Sequence, residues 1–334
     1  MRVNLWKSLT TVILLLALLI ATPLLTACGG TDNTQPTTTQ PTTTAPPTTT
    51  EPAVSESDVV VDAVATYLTH TAANTTAANL QLAIADGSAP TIISLRSAAD
   101  YANGHIPGAI NMAFGDLTSL DKTGSYLVYC YTGQSASFAA AMLGTLGYDV
   151  QNLLHGMSSW SDDPAVYVTR FDAATSQGNF AVETTANTGG SYDLPVLDNT
   201  ASSDPAEILL AAAQTVSPSY ITATDLNLKI AEGEDMTIIS CRSAADYANG
   251  HIPGAINIGL TALADNLSQI DPDAPVYCYC YTGHSAAQAT ALLQMLGYDA
   301  YSLKFGMCSW SSDPAINAGK CFNPATVAGY AVEQ

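Results

Sequence analysis

Residues Tyr129–Asp149 read YCYTGQSASFAAAMLGTLGYD, and Tyr279–Asp299 read YCYTGHSAAQATALLQMLGYD. In both, a cysteine ends an apolar run, a turn containing Gly and hydroxyl side chains follows, and an Ala- and Leu-rich stretch closes at Leu-Gly-Tyr-Asp. The pattern predicts a buried strand, a tight loop and a helix, with Cys130 and Cys280 delivered to the end of a sheet. Glycine lets successive backbone N–H groups point into such a loop, and the positive end of the following helix favours an anion at its centre. Sulfur is the atom nearest at hand, so the arrangement predicts a nucleophilic cysteine.

Outward from these loops the chain repeats itself. RSAADYANGHIPGAIN occurs without a mismatch at Arg96–Asn111 and Arg242–Asn257, an offset of 146 residues, whereas Cys130 and Cys280 are offset by 150. Four residues are therefore inserted between the two blocks, and LTALADNLSQIDPDA has the room that LTSLDKTGS lacks. In each copy, TIIS, the Ala-Ile-Asn run after a Pro-Gly turn, the run ending in cysteine, and VQNLL or AYSL read as short strands. NLQLAIADG and NLKIAEG read as helices ended by Gly. Apolar strands alternating with helices predict an α/β fold with a parallel sheet covered on both faces, its chemistry at the carboxyl ends of the strands.

The first residues point to export. Arg2 and Lys7 precede VILLLALLIA, too short for a comfortable membrane span. Leu25-Thr26-Ala27-Cys28 resembles the lipobox of bacterial lipoproteins, which implies cleavage before Cys28 and its lipidation. The Thr/Pro-rich stretch that follows cannot form a core and reads as a stiff tether. The expected division is a signal peptide at 1–27, a linker at 28–54, a first domain at 55–185, a linker at 186–204 and a second domain at 205–334, with two separate cores. Beyond the signal, seven Lys and Arg face 29 Asp and Glu, a net charge of −22 (7 − 29), which disfavours nucleic acid and anionic lipid as partners.

With Cys28 lipidated, Cys130 stands alone in the first domain and has no disulfide partner there. The second domain holds Cys241, Cys278, Cys280, Cys308 and Cys321, an odd number. Cys308 with Cys321 is a candidate staple. Cys278, two residues before Cys280, could resolve a persulfide or, with His284, bind a soft metal.

The ordered elements resemble those of rhodanese sulfurtransferases. Arg96, Asp100, Tyr101, the His105–Ala109 turn, Cys130, Thr132, Gly133, Gly156 and Trp160 carry the resemblance in the first copy. Arg242, Asp246, Tyr247, the His251–Ala255 turn, Cys280, Thr282, Gly283, Gly306 and Trp310 carry it in the second. The resemblance implies two rhodanese-like domains, each a parallel five-stranded sheet flanked by helices, with Cys130 and Cys280 as persulfide-forming nucleophiles. It also implies that Cys241 and Cys278 lie on neighbouring strands, where they too could pair. Tyr131, Thr132, Gly133, Gln134 and Ser135, with Tyr281, Thr282, Gly283, His284 and Ser285, are the expected substrate-binding loops. The expected partners are a small sulfur donor and a thiophilic acceptor; no cofactor or metal is expected. Ser135 and Ser285 stand where the family often has Arg, so no fixed cation is expected near the sulfur. That argues against phosphoryl transfer, and Thr132 with Ser135 is closer to the loop of mercaptopyruvate sulfurtransferases. Arg96 with Asp100, and Arg242 with Asp246, are four apart and predict local ion pairs. His105 and His251 read as turn residues, and His284 either as a positive ring near the sulfur or as a solvated loop residue. The readings from other classes are a binding module with lapsed chemistry and a thiol-disulfide oxidoreductase.

Overall fold

The computed structural model describes residues 55–334. The expected signal peptide, the lipidated Cys28 and the tether lie outside the described residues. Among the described residues no helix is long and apolar enough to cross a membrane.

Each repeat builds one five-stranded, all-parallel sheet. In the first, β1 (Asn74–Thr75), β2 (Thr91–Ser94), β3 (Ile110–Asn111), β4 (Ser125–Tyr129) and β5 (Asp149–Leu153) are ordered β1-β5-β4-β2-β3. In the second, β6 (Tyr220–Ile221), β7 (Thr237–Ser240), β8 (Ile256–Asn257), β9 (Val276–Tyr279) and β10 (Ala300–Leu303) repeat that order as β6-β10-β9-β7-β8. The cysteine-bearing strands β4 and β9 are central, buried on both faces, which is why they read as unbroken apolar runs. The inserted residues fall where expected: a single 3₁₀ segment, Phe114–Ser119, in the first repeat becomes two, Leu260–Ala262 and Ala264–Gln269, in the second.

Two of the expectations about domain organisation fail. One apolar cluster runs through both repeats, because the helices Gln134–Thr145 and His284–Met295 pack against each other. Ala136, Ala139, Ala140, Ala286, Ala287 and Ala289 are fully buried there. Small side chains bring the two backbones together, and a helix that is apolar all round needs cover on every face. A smaller cluster covers the opposite face of each sheet.

The second correction concerns the segments after each repeat, which are exchanged. Residues 178–185, expected to end the first domain, lie on the second: Phe180 N–H donates to Trp310 O, Trp310 Nε1 to Ala181 O, and Glu183 pairs with His251 in an antiparallel bridge. The C-terminal segment returns the favour on the first domain. Tyr330 N–H donates to Trp160 O, Trp160 Nε1 to Ala331 O, and Glu333 bridges His105. Residues 186–204, expected as a free linker, are tied down as well. Asn187 bonds Tyr247 Oη and Ala255 O, and Leu197 N–H donates to Ser57 Oγ.

Candidate functional site

Cys130 follows β4 and Cys280 follows β9, and both side chains are only 3% exposed. Each loop turns at a glycine in the left-handed region, Gly133 (φ 80°) or Gly283 (φ 91°), and the helix begins at the next residue. Gly283 N–H donates to Cys280 Sγ at 3.1 Å. The expected ring of amides is reduced to this one bond at the second sulfur.

The two cysteine loops face each other across the domain junction. Gln134 and His284, the first helical residues after the glycines, are buried and cross to the opposite domain. Gln134 Oε1 accepts Phe305 N–H at 3.0 Å while its Nε2 donates to Thr132 Oγ1 at 3.3 Å. His284 Nε2 lies 3.2 Å from His155 N and 3.1 Å from the carbonyl oxygen of Thr132, both in the first domain, and its Nδ1 lies 2.8 Å from Thr282 Oγ1. Phe305 and His155 are themselves in the left-handed region (φ 63° and 61°), so each clamp holds a strained turn. There is no spare room: a Cβ on Gly133 would stand 2.6 Å from His284 Nε2, and one on Gly283 would strike Gln134 Oε1.

His284 is therefore not a positive ring beside the sulfur. Burial, with His155 beside it, holds its pKa down to about 3, and burial alone lowers His155 to about 4. The rings meet edge to face at 4.9 Å between centroids, both neutral.

The remaining loop residues also have structural partners. Tyr131 Oη donates to Asp100 and Tyr281 Oη to Asp246, carboxylates that Ser97 and Ser243 also cap. Bonds from Ser97 and Tyr131 hold Asp100 below the usual carboxylate range, and bonds from Tyr281 and Ser243 do so for Asp246. The expected Arg–Asp ion pairs do not form. Arg96 donates to Gly104 O at 3.0 Å and to the backbone carbonyl of Asp100, and Arg242 to Gly250 O at 2.6 Å and Ile316 O at 2.8 Å. A buried guanidinium fans its donors over several carbonyls, and the short helix turns the carboxylate toward the cysteine loop. Ser135 Oγ meets Tyr220 Oη of the second domain at 2.9 Å. Tyr220 escaped the sequence reading because its counterpart in the first repeat, Asn74, offers no matching signal. His105 and His251 hold their turns through Tyr101 O and Tyr247 O.

Between the loops lies a narrow cleft of about 10 Å³, lined by Thr132, His155, Phe171, Thr282, Phe305 and Phe322 among others. That is room for about one water. Sequence reasoning also missed its rim. Of the seven cations beyond the signal, Lys304 stands 5.5 Å from the Phe305 ring, Arg170 6.0 Å from Phe322, and Lys320 3.9 Å from Tyr281. Two of these cations thus lie against aromatic rings that line the cleft, and the third against a ring of the second cysteine loop.

Cys308 and Cys321 are joined, with Cα atoms 5.4 Å apart, whereas Cys130, Cys241, Cys278 and Cys280 are free. The suggested pairing of Cys241 with Cys278 is not formed, because the register sets Cys278 beside Ile239. Among the described residues no group of His, Cys, Asp or Glu is arranged to hold a metal ion.

This site can be set beside known proteins. The family description "Rhodanese-like domain" matches residues 76–163 and 222–313. A thiosulfate sulfurtransferase GlpE of Shewanella oneidensis is 34% identical over 84 residues, 25% of this chain and 83% of the relative. A sulfurtransferase of Allochromatium vinosum is 30% identical over 92 residues, 27% of this chain and 86% of the relative. An HTH-type transcriptional regulator of Mycobacterium tuberculosis is 34% identical over 109 residues; the match takes 31% of this chain and spans about half of that relative, 48%. With two matched segments, two copies of one parallel sheet and a cysteine at the same loop of each, the chain belongs to the rhodanese-like family and carries two of its domains in tandem.

Proposed function

We propose that the chain is a sulfurtransferase in which Cys130 and Cys280 each take a sulfane sulfur from a small donor and pass it to a thiophilic acceptor. In the first half-reaction the cysteine sulfur attacks the outer sulfur of the donor, a new S–S bond forms, and the donor remainder leaves with the electron pair of the broken bond. In the second, an acceptor such as cyanide, sulfite or a thiol attacks the outer sulfur and the cysteine leaves as thiolate. The observation that carries this reading is the placement of both cysteines at a strand end, in a left-handed glycine turn, under a helix N-terminus, with Gly283 N–H already on Cys280 Sγ. Relatives named sulfurtransferases support the reaction class. Thiosulfate, mercaptopyruvate and polysulfide are the donors to compare.

Cys130→Ser and Cys280→Ser, each exposed to these donors and examined by mass spectrometry, test it. Each variant is expected to gain one sulfur atom at the cysteine it keeps. No gain at either position in the unaltered protein overturns the reading, and loss of all uptake in one single variant overturns two independent sites.

With Lys304 beside a ring that lines the cleft and Lys320 beside the Tyr281 ring of the second cysteine loop, Lys304→Gln with Lys320→Gln should lower kcat/KM for an anionic donor by roughly 3–10-fold, more at low ionic strength. A neutral organic trisulfide should be unaffected. Equal loss for both donors would show that the lysines act on the fold.

A second reading, a binding module without chemistry, is favoured by the near-complete burial of both thiols and the tight cleft. Under the sulfurtransferase reading, the Gln134 and His284 clamps must part for each turnover. We also propose lipid anchoring at Cys28 outside the cytoplasm, supported by the Leu25–Cys28 sequence. Labelling with a fatty-acid probe that persists in Cys28→Ala would overturn it.

A further inference from the structure

The two repeats agree over TIIS-x-RSAADYANGHIPGAIN, Thr91–Asn111 and Thr237–Asn257, at every position but one: Leu95 in the first is Cys241 in the second. That position adjoins the nucleophile. Ser240 is the register partner of Tyr279, and Cys241 N–H continues the pairing by donating to Tyr279 O at 2.7 Å, which brings Cys241 level with Cys280. Leu95 N–H makes the same bond to Tyr129 O at 2.8 Å.

The side chains share a face. Ile239, Cys278 and Cys280 belong to the cluster between the sheets, with Cys241 packed against it, whereas Ile238, Tyr277 and Tyr279 belong to the cluster on the opposite face. Adjacent strands lie about 4.8 Å apart, inside the roughly 4.4–6.8 Å Cα separation that disulfides adopt. Cys278 is a poorer partner for Cys280, because it sits two residues away on the same strand and is fully buried.

We propose that Cys241 is the resolving thiol of Cys280, so that the second domain, unlike the first, converts its persulfide into hydrosulfide and an intramolecular disulfide. This rests on the sulfur-transfer reading. Cys241 Sγ bonds to Cys280 Sγ, the bond from Cys280 Sγ to the outer sulfur breaks, and the outer sulfur leaves with that electron pair. The Cys241 proton goes to the leaving sulfur, so Cys280–S–S⁻ and Cys241–SH give Cys280–S–S–Cys241 and HS⁻. The sulfane sulfur is reduced, the two cysteines are oxidised, and no outside oxidant is needed. Burial, with Cys278 and Cys280 beside it, pushes the Cys241 thiol up, so Cys241 reacts as it gives up its proton to the leaving sulfur rather than as a standing thiolate. An external thiol then reopens the disulfide. In the first domain Leu95 has no sulfur to offer, so the Cys130 persulfide waits for an external acceptor.

The test loads the full-length protein with tetrasulfide under argon, desalts it, and maps cysteine peptides by mass spectrometry over time. Cys130 is expected to keep its added sulfur while Cys280 loses it to a Cys241–Cys280 disulfide. In Cys241→Ser, and in Cys241→Leu, which copies the first domain, Cys280 should keep its persulfide as Cys130 does. Leu95→Cys should give the first domain the behaviour of the second. A Cys280 persulfide that lasts equally long with and without Cys241, or a disulfide to Cys278, overturns the resolving role while leaving sulfur transfer standing. Absence of added sulfur at both Cys130 and Cys280 in every variant overturns the transfer reading, and this proposal with it.

Discussion

A chain ending after Thr326 is expected to lose the fold of its first domain before that of its second. The lost residues carry backbone bonds between Tyr330 and Trp160 and, in both directions, between Glu333 and His105. They also carry the acceptor of Trp160 Nε1 at 2.9 Å and the Glu333 carboxylate that holds Gly108 N–H at 2.9 Å. The Tyr330 ring packs 5.0 Å from that of Trp160, which is fully buried. At about 1 kcal/mol for each hydrogen bond, and more for a buried indole N–H left without a partner, the truncation costs about 4–6 kcal/mol. Against a typical stability of about 5–15 kcal/mol this is a large share. Hydrogen exchange locates the damage: protection should fall around residues 98–111 and 157–160, with the matching segments of the second domain spared. Loss confined to the second domain would contradict the exchanged arrangement. Phe180→Ala, which strips the ring from Trp310 (5.1 Å), should weaken the second domain instead.

Mild acid is the other large perturbation. His155 and His284 are neutral in the folded state with pKa values of about 4 and about 3, whereas in the unfolded chain they take protons near the ordinary 6.5. The unfolded state therefore binds more protons below that value. Their contribution to stability is intact above about pH 6.5 and is lost progressively as the pH falls toward 4 and then 3. At pH 5 the loss is about 3 kcal/mol relative to neutral pH, about 2 from buried His284 and about 1 from half-buried His155 once solvent screening is allowed for. Denaturant midpoints measured between pH 7 and pH 4 read it directly. His284→Gln, the residue the first domain has at the equivalent place, should remove more than half of the pH dependence in this window. An unchanged pH profile in that variant would mean that the ring is not held neutral at the junction.

Much of the fold could be read from the chain, because its signals are local. The apolar runs TIIS, SYLVY and VYCY became strands, the stretches after Gly133 and Gly283 became helices, and the duplicated blocks announced two copies of one sheet. Spacing alone misjudged Arg96 and Asp100. Four residues apart on a helix they can meet, yet burial gave the guanidinium backbone carbonyls and the turn gave the carboxylate to Tyr131. Sequence reading also gave Gln134, Ser135 and His284 to a substrate, and the structure gives each a partner from the other domain. Nothing local distinguishes a loop side chain that waits for a ligand from one that already holds a neighbouring backbone.

The sequence by itself determined the duplicated α/β architecture, the position of each cysteine at a strand end, and the acidic character of the chain. These depend on periodicity, glycine placement and charge, which neighbouring residues settle among themselves. Only the tertiary structure decided that each domain is completed by the segment following the other, that the cysteine loops are clamped face to face, and that Cys241 stands beside Cys280. Those outcomes depend on contacts between residues separated by at least 60 positions in the first two cases, and in the last on a strand register. Such pairings are selected by the packing of the whole molecule, so no stretch of the chain can announce them alone.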